Sequence, residues 1–158
     1  MLLPLFEWFQ TTFIATAIHG SVWLFPVIQC GHLLGLVMLG GALVLMDLRL
    51  LGLGLTTQPV GVVSRATFPW LMGGLALMTV TGIPMFLSEA VKCYYNFSFW
   101  VKITTFGPAI LFAVTVRRRV GDAEEGRYGR VTQAAVAVVS LGLWLTVAAA
   151  GRWIGFSG

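Results

Sequence analysis

Four long apolar runs constrain this chain more than any other feature. They extend from about Val22 to Met46, Pro69 to Leu87, Phe99 to Val116 and Val131 to Ala150, and Lys102 is the only lysine, arginine or carboxylate inside them. A helix needs about 20 mostly apolar residues to cross a bilayer. Four such helices take up roughly half of the 158 residues. The runs are continuous and lack period-two alternation, so they are helices rather than barrel strands. Charged residues make up 10 % of the chain, against about 25 % in a soluble domain. The expected fold is all-α: an integral membrane four-helix bundle embedded in the lipid bilayer. No room remains for a water-soluble catalytic domain, so any chemistry sits among the helices.

The first twenty residues differ from the rest. Leu2, Phe6, Phe9, Phe13 and Ala17 fall on one helical stripe, while Glu7, Gln10 and Thr11 fall elsewhere. That pattern predicts an amphipathic helix lying in the membrane interface over residues 1–20, with Trp8 at headgroup level and the transmembrane domain at 21–158. Pro69 suits the first turn of the second span, where its missing N–H costs nothing. Gly107-Pro108 predicts a kink in the third, because the Thr104 carbonyl loses its partner.

Basic residues set the expected orientation. Arg49 and Arg65 follow the first run, and Arg117, Arg118, Arg119, Arg127 and Arg130 follow the third. The opposite side has Lys92 and Arg152, with Lys102 just inside a span. The positive-inside rule then puts the arginine loop in the cytoplasm and both termini outside, in a multi-pass protein of the bacterial inner membrane. The net charge of +4 comes largely from that loop, which is a membrane pattern and excludes nucleic acid as a partner. Asp47 and Arg49, with Arg65 across the loop, are expected to form a cytoplasmic polar cluster, or Arg49 or Arg65 to hold an anionic headgroup.

Other classes fall away quickly. Cys30 and Cys93 have no metal-site spacing and define no disulfide framework. Met1 to Gln10 contains Glu7 and no lysine or arginine, so it lacks the basic start of a signal peptide. There is no nucleotide-binding glycine pattern after a strand, no HExxH and no paired carboxylates.

Ionisable residues inside a membrane are expensive and therefore functional suspects. His32 lies near the middle of the first span, with Gln29 one turn before it and Gly35 one turn after. This stripe would let a flat ligand lie against the helix. A buried imidazole suits axial ligation of haem iron, a tetrahedral copper or zinc site, or proton transfer. It can also simply hydrogen-bond to a neighbouring helix. Lys102 shares a stripe with Thr105 and Ala109; it either reaches the same cavity and pairs with an anionic ligand such as a haem propionate, or snorkels to the interface. His19 is about 20 Å from His32 along a straight helix, on nearly the opposite face, so the two cannot clamp one haem iron from one straight helix. His19 with Gly20 marks the joint between interfacial helix and first span. A second ligand would have to come from elsewhere, such as Met78 or Met85, although methionine stripes more often pack than ligate. Ala135, Gly142 and Ala149, with Val139 and Thr146 between them, form a small-residue seam for packing within the bundle or against another subunit. Gly31-x-x-x-Gly35 offers a second.

Several segments carry a family resemblance. They are His32-Leu33-Leu34-Gly35, Gly40-Gly41, Asp47-Leu48-Arg49-Leu50-Leu51-Gly52, Phe68-Pro69-Trp70, Thr81-Gly82, and Asn96-Phe97 followed by Phe99-Trp100-Val101-Lys102. Together, over roughly Ser21 to Val116, they resemble an uncharacterised family of small bacterial four-helix membrane proteins. More distantly, the layout is similar to the membrane domain of copper-resistance protein D and to the J-type protoporphyrinogen oxidase. The oxidase resemblance implies haem b at a position matching His32, with Lys102 as the matching lysine. The chain departs from that pattern where Arg117-Arg118-Arg119 replaces a second histidine and Asp47-Leu48-Arg49 replaces a basic-aromatic segment. The expected function is haem b binding in electron transfer or tetrapyrrole redox chemistry, with His32 as metal ligand and His32, Lys102, Gln29 and Gly35 as the cofactor site. The alternative is a non-catalytic accessory subunit, in a homo-oligomer or a larger membrane complex.

Overall fold

The computed structural model describes residues 2–124 and 126–156. Of the expected segments 1–20 and 21–158, Met1, Glu125, Ser157 and Gly158 therefore lie outside the described residues. Every regular element among the described residues is helical: α1 (Leu3–Gln10), α2 (Phe13–His19), α3 (Leu24–Leu51), α4 (Val60–Ser88), α5 (Ala90–Tyr95), α6 (Phe97–Phe112), a π-helical turn (Ala113–Arg117), α7 (Arg118–Gly121) and α8 (Arg130–Ile154). α6, the π turn and α7 run on as one rod, Phe97–Gly121. With α3, α4 and α8 it makes four helices long and apolar enough to cross a membrane. Leu33, Val37, Trp70, Val80, Leu111 and Leu145 face outward, while Asp47 and Ser140 are completely buried. A bundle with leucine outside and carboxylate inside fits an apolar surrounding, not water.

The helices outrun the apolar runs because backbone hydrogen bonding does not stop where hydrophobicity does. α3 continues through Asp47 to Leu51 and ends at Gly52, whose φ of +73° is the left-handed cap that favours glycine. α4 begins at Val60, directly after Pro59. The expected first-turn role of Pro69 is therefore corrected: Pro69 and Pro84 both lie inside α4. The residues before Pro69 already form more than two helical turns, and α4 runs on through both prolines.

The single amphipathic helix expected at the N-terminus is likewise two helices. The Thr11 hydroxyl donates to the Trp8 carbonyl at 2.8 Å and the Thr12 hydroxyl to the Phe9 carbonyl at 2.7 Å. These bonds close off α1, and Thr12 turns extended at ψ 152°. The expected stripe is split: Phe6 is buried and Phe13 exposed. Phe6 packs edge-on against Phe86 and Tyr94, and Phe86 stacks on Phe99 with ring centroids 5.4 Å apart. This aromatic cluster joins α1 to the ends of α4, α5 and α6. Asn96 starts α6 by accepting from the Ser98 N–H at 2.9 Å.

α3 packs along both α4 and α8, and α6 packs along α8. Three buried clusters stack through the bundle: Phe6, Ala90, Cys93 and Phe99 at one end, Leu39, Ala42, Leu43, Leu71 and Met78 in the middle, and Met46, Leu50, Val63, Val120, Val136 and Ala137 at the arginine-rich end.

Candidate functional site

His32 is half-buried on α3 and faces α4. Its Nδ1 lies 2.9 Å from the Thr81 hydroxyl, and that hydroxyl lies 2.6 Å from the Leu77 carbonyl. Thr81 has one proton, and the carbonyl can only accept it. The Nδ1 contact therefore requires the proton on Nδ1, which leaves Nε2 of the neutral ring with its lone pair. Gly82 makes room for the ring, since a Cβ there would meet His32 Cε1 at 3.2 Å. The sequence marked Thr81-Gly82 without assigning it a role; in the structure the pair orients the imidazole.

Lys102 does not head outward from the rod of α6. Its Nζ and Cε lie about one van der Waals contact from the Cβ position of Gly151 on α8, at 3.5 and 3.6 Å. It is within electrostatic reach of both His32 and Cys93. Among the described residues it forms no hydrogen bond and no ion pair, Glu89 included. Phe106, one turn further along α6, meets Trp144 of α8 edge-on at 6.1 Å. The indole N–H of Trp144 is buried without an acceptor among the described residues. Among the described residues the interior thus holds an imidazole oriented through Nδ1, an ammonium without an ion-pair partner and an orphaned indole donor.

Cys93 closes this end from α5. Burial, reinforced by the nearby Glu89 carboxylate, pushes its thiol up to about 11. At neutral pH its reactive thiolate is then about a hundredfold scarcer than that of an ordinary thiol. Maleimide at neutral pH is expected to leave folded Cys93 largely unmodified and to label it promptly after unfolding, as read by peptide mass spectrometry. Equal labelling rates before and after unfolding would overturn this assignment.

The other sequence candidates are dispersed. Gln29 is exposed on the outer face of α3. Gly35 is buried where α3 crosses α4, and a Cβ there would lie 2.9 Å from Met78 Cγ. Met78 fills the space beside Gly35, so Gln29, His32 and Gly35 do not share one open face. His19 bonds through Nε2 to the Ser88 carbonyl at 3.0 Å, and the Gln10 amide reaches the same oxygen at 3.3 Å. Both tie the N-terminal helices to the end of α4. Among the described residues, no three His, Cys, Asp or Glu side chains gather as metal ligands, so a tetrahedral zinc ion at His32 lacks its other protein ligands.

One constellation escaped the sequence reading. Asp47 was expected to join Arg49 and Arg65; instead its Oδ1 accepts from Arg117 Nε at 2.9 Å and its Oδ2 from the Ser140 hydroxyl at 2.7 Å. Arg117 Nη2 also reaches the Ala42 and Leu43 carbonyls at 3.3 Å. Arg49 turns outward to the Gln58 carbonyl at 2.7 Å. The π turn ends on Arg117, whose exposure is 5 %. The available signal was Asp47 itself: a carboxylate one residue beyond an apolar run needs a cation.

Architecture and site together define a class: a four-helix, multi-pass protein with an oriented histidine at one end and a buried ion pair at the other. The chain belongs to a family of unknown function, DUF6644, whose model matches residues 5–157. No curated protein and no solved structure matches it. The distant likeness to copper-resistance protein D and the J-type oxidase finds no support in these comparisons.

Proposed function

We propose that this protein binds haem b in the bacterial inner membrane, with both termini outside, and serves electron transfer or tetrapyrrole redox chemistry. The observation that carries this reading is the His32–Thr81–Leu77 chain of hydrogen bonds, which leaves the Nε2 lone pair for a ligand, with the Lys102 ammonium within electrostatic reach. The donor set fits the group. A porphyrin brings four nitrogen ligands of its own, so one imidazole suffices from the protein, and Lys102 offers the counter-charge that a propionate needs. Bound haem b would supply one-electron chemistry. The residues of the chain do the rest: Thr81 fixes the tautomer, Gly82 admits the ring, and Lys102 holds the anionic edge. The site is then His32 and Lys102, without Gln29 or Gly35.

The decisive experiment is a reduced-minus-oxidised spectrum of the purified protein. A Soret and alpha-band signal is expected, lost in His32→Ala and weakened in Thr81→Val and Lys102→Met. No signal, or one unchanged by His32→Ala, overturns the reading.

A second reading, an accessory subunit of a membrane assembly, is favoured by the small-residue seam. Ala135, Gly142 and Ala149 all face outward, and a Cβ on Gly142 would meet nothing within 4 Å. Native mass spectrometry of gently solubilised membranes tests it, and a lone monomer counts against it.

A further inference from the structure

The arginine-rich end holds a second set of groups that the reading of His32 does not use. A small cavity, just large enough for a water-sized body, lies between α4 and the end of α6. Ser64, Thr67, Phe68, Ala113, Arg117 and Arg118 line it. Arg117 is the more deeply buried of its two charged lining groups. Its Nε and Nη2 are committed to Asp47 and two carbonyls, whereas Nη1 makes no hydrogen bond among the described residues and is not fully enclosed. Arg118 lies at the rim, about half exposed, with its guanidinium 3.9 Å from the centroid of the Phe68 ring. Its Nε also reaches Asp122 at 3.3 Å, and Asp122 accepts from the Ser64 hydroxyl at 2.7 Å.

Charge and depth point to the same occupant. Arg65 reaches toward Gly61 beside the Gly121 carbonyl, so Arg65 joins Arg117 and Arg118 at this corner, where Asp47 and Asp122 are the carboxylates that the latter two pair with among the described residues. The rod rises about 30 Å between Phe97 and Arg117, which is the thickness of the hydrocarbon layer. With Phe97 at one edge of that layer, Arg117 comes to the other edge, next to the headgroups. α4 and α6 share no extended contact, which leaves the line between them to acyl chains.

We propose that this corner is a binding site for the phosphodiester of an anionic phospholipid. One phosphate oxygen enters the cavity and accepts from Arg117 Nη1. The remaining oxygens meet Arg118 at the rim, and the acyl chains run down between α4 and α6. Basic pockets between membrane helices recognise anionic headgroups in this way.

The test is thermal unfolding of the full chain in nanodiscs of phosphatidylcholine alone or mixed with phosphatidylglycerol, with native mass spectrometry to count retained lipid. Wild type and Arg127→Gln, a loop arginine away from the cavity, are expected to be stabilised by phosphatidylglycerol. Arg118→Gln should need about fivefold more of it for the same shift, while Arg118→Lys keeps part of the preference. Arg118 is the residue to vary because Arg117 also holds the bundle together. The proposal is overturned if phosphatidylglycerol gives no shift beyond phosphatidylcholine. It is equally overturned if Arg127→Gln weakens the effect as much as Arg118→Gln, or if inorganic phosphate in phosphatidylcholine discs reproduces it.

Discussion

Replacing Arg117 by methionine is expected to destabilise the bundle by about 3–5 kcal/mol, the cost of leaving a buried charge without its partner. Asp47 is completely buried, and both of its oxygens are committed, one to Arg117 and one to Ser140. Without the guanidinium, the carboxylate must stay charged in an apolar interior or take up a proton. The Ala42 and Leu43 carbonyls also lose the donor they share. Asp47→Leu should be similarly severe, since it strands the arginine instead. The double variant Asp47→Leu/Arg117→Met should lie much closer to wild type, because two apolar residues of similar volume remove the desolvation penalty along with the attraction. Unfolding of the four proteins in detergent, arranged as a double-mutant cycle, measures the coupling directly. If the single variants unfold like wild type, the ion pair does not hold α3 to the end of α6.

Gly74→Ala is expected to cost about 3 kcal/mol, near the top of the usual range for overpacking. A Cβ on Gly74 would lie 2.5 Å from the Leu39 backbone nitrogen and 2.9 Å from the Gly35 carbonyl oxygen. Both are main-chain atoms, so no rotamer change relieves the clash and the helices must separate. That separation reaches the candidate site, because the same crossing sets the distance between His32 on α3 and Thr81 on α4. Gly74→Ala should therefore also loosen the imidazole, seen as exchange broadening of its ring resonances by NMR. Gly40→Ala is the control: nothing lies within 4 Å of a Cβ there. It should be neutral, or stabilising by up to about 1 kcal/mol through helix propensity. Equal behaviour of the two variants would show that the α3–α4 contact is not the close crossing described.

The two ends of the bundle were legible to different degrees. At the His32 end, residue type and depth were enough to single out His32 and Lys102, because a membrane interior makes any ionisable group conspicuous. What Gly35 does was not legible. A missing side chain on a helix face can admit a ligand or another backbone, and only the position of Met78 and Gly74 distinguishes the two. At the other end, Asp47 could be seen to need a cation, and Arg49 was the nearest along the chain. Arg117 is the partner because its long side chain reaches from the π turn across to Asp47 and the Ala42 and Leu43 carbonyls of α3, a proximity that no local pattern encodes.

Hydropathy alone determined the four helices, since continuous apolar runs of that length leave a backbone no other way to satisfy its hydrogen bonds away from water. It also marked the ends where arginines and aromatics collect. Helix lengths, the break at Thr11-Thr12, the partner of Asp47 and the tautomer of His32 were decided by tertiary structure. Each depends on which atoms of distant segments come within a few ångströms of one another. Hydrophobicity is additive along a chain and can be read from it, whereas a hydrogen bond or ion pair is a relation between two places and exists only once the helices have packed.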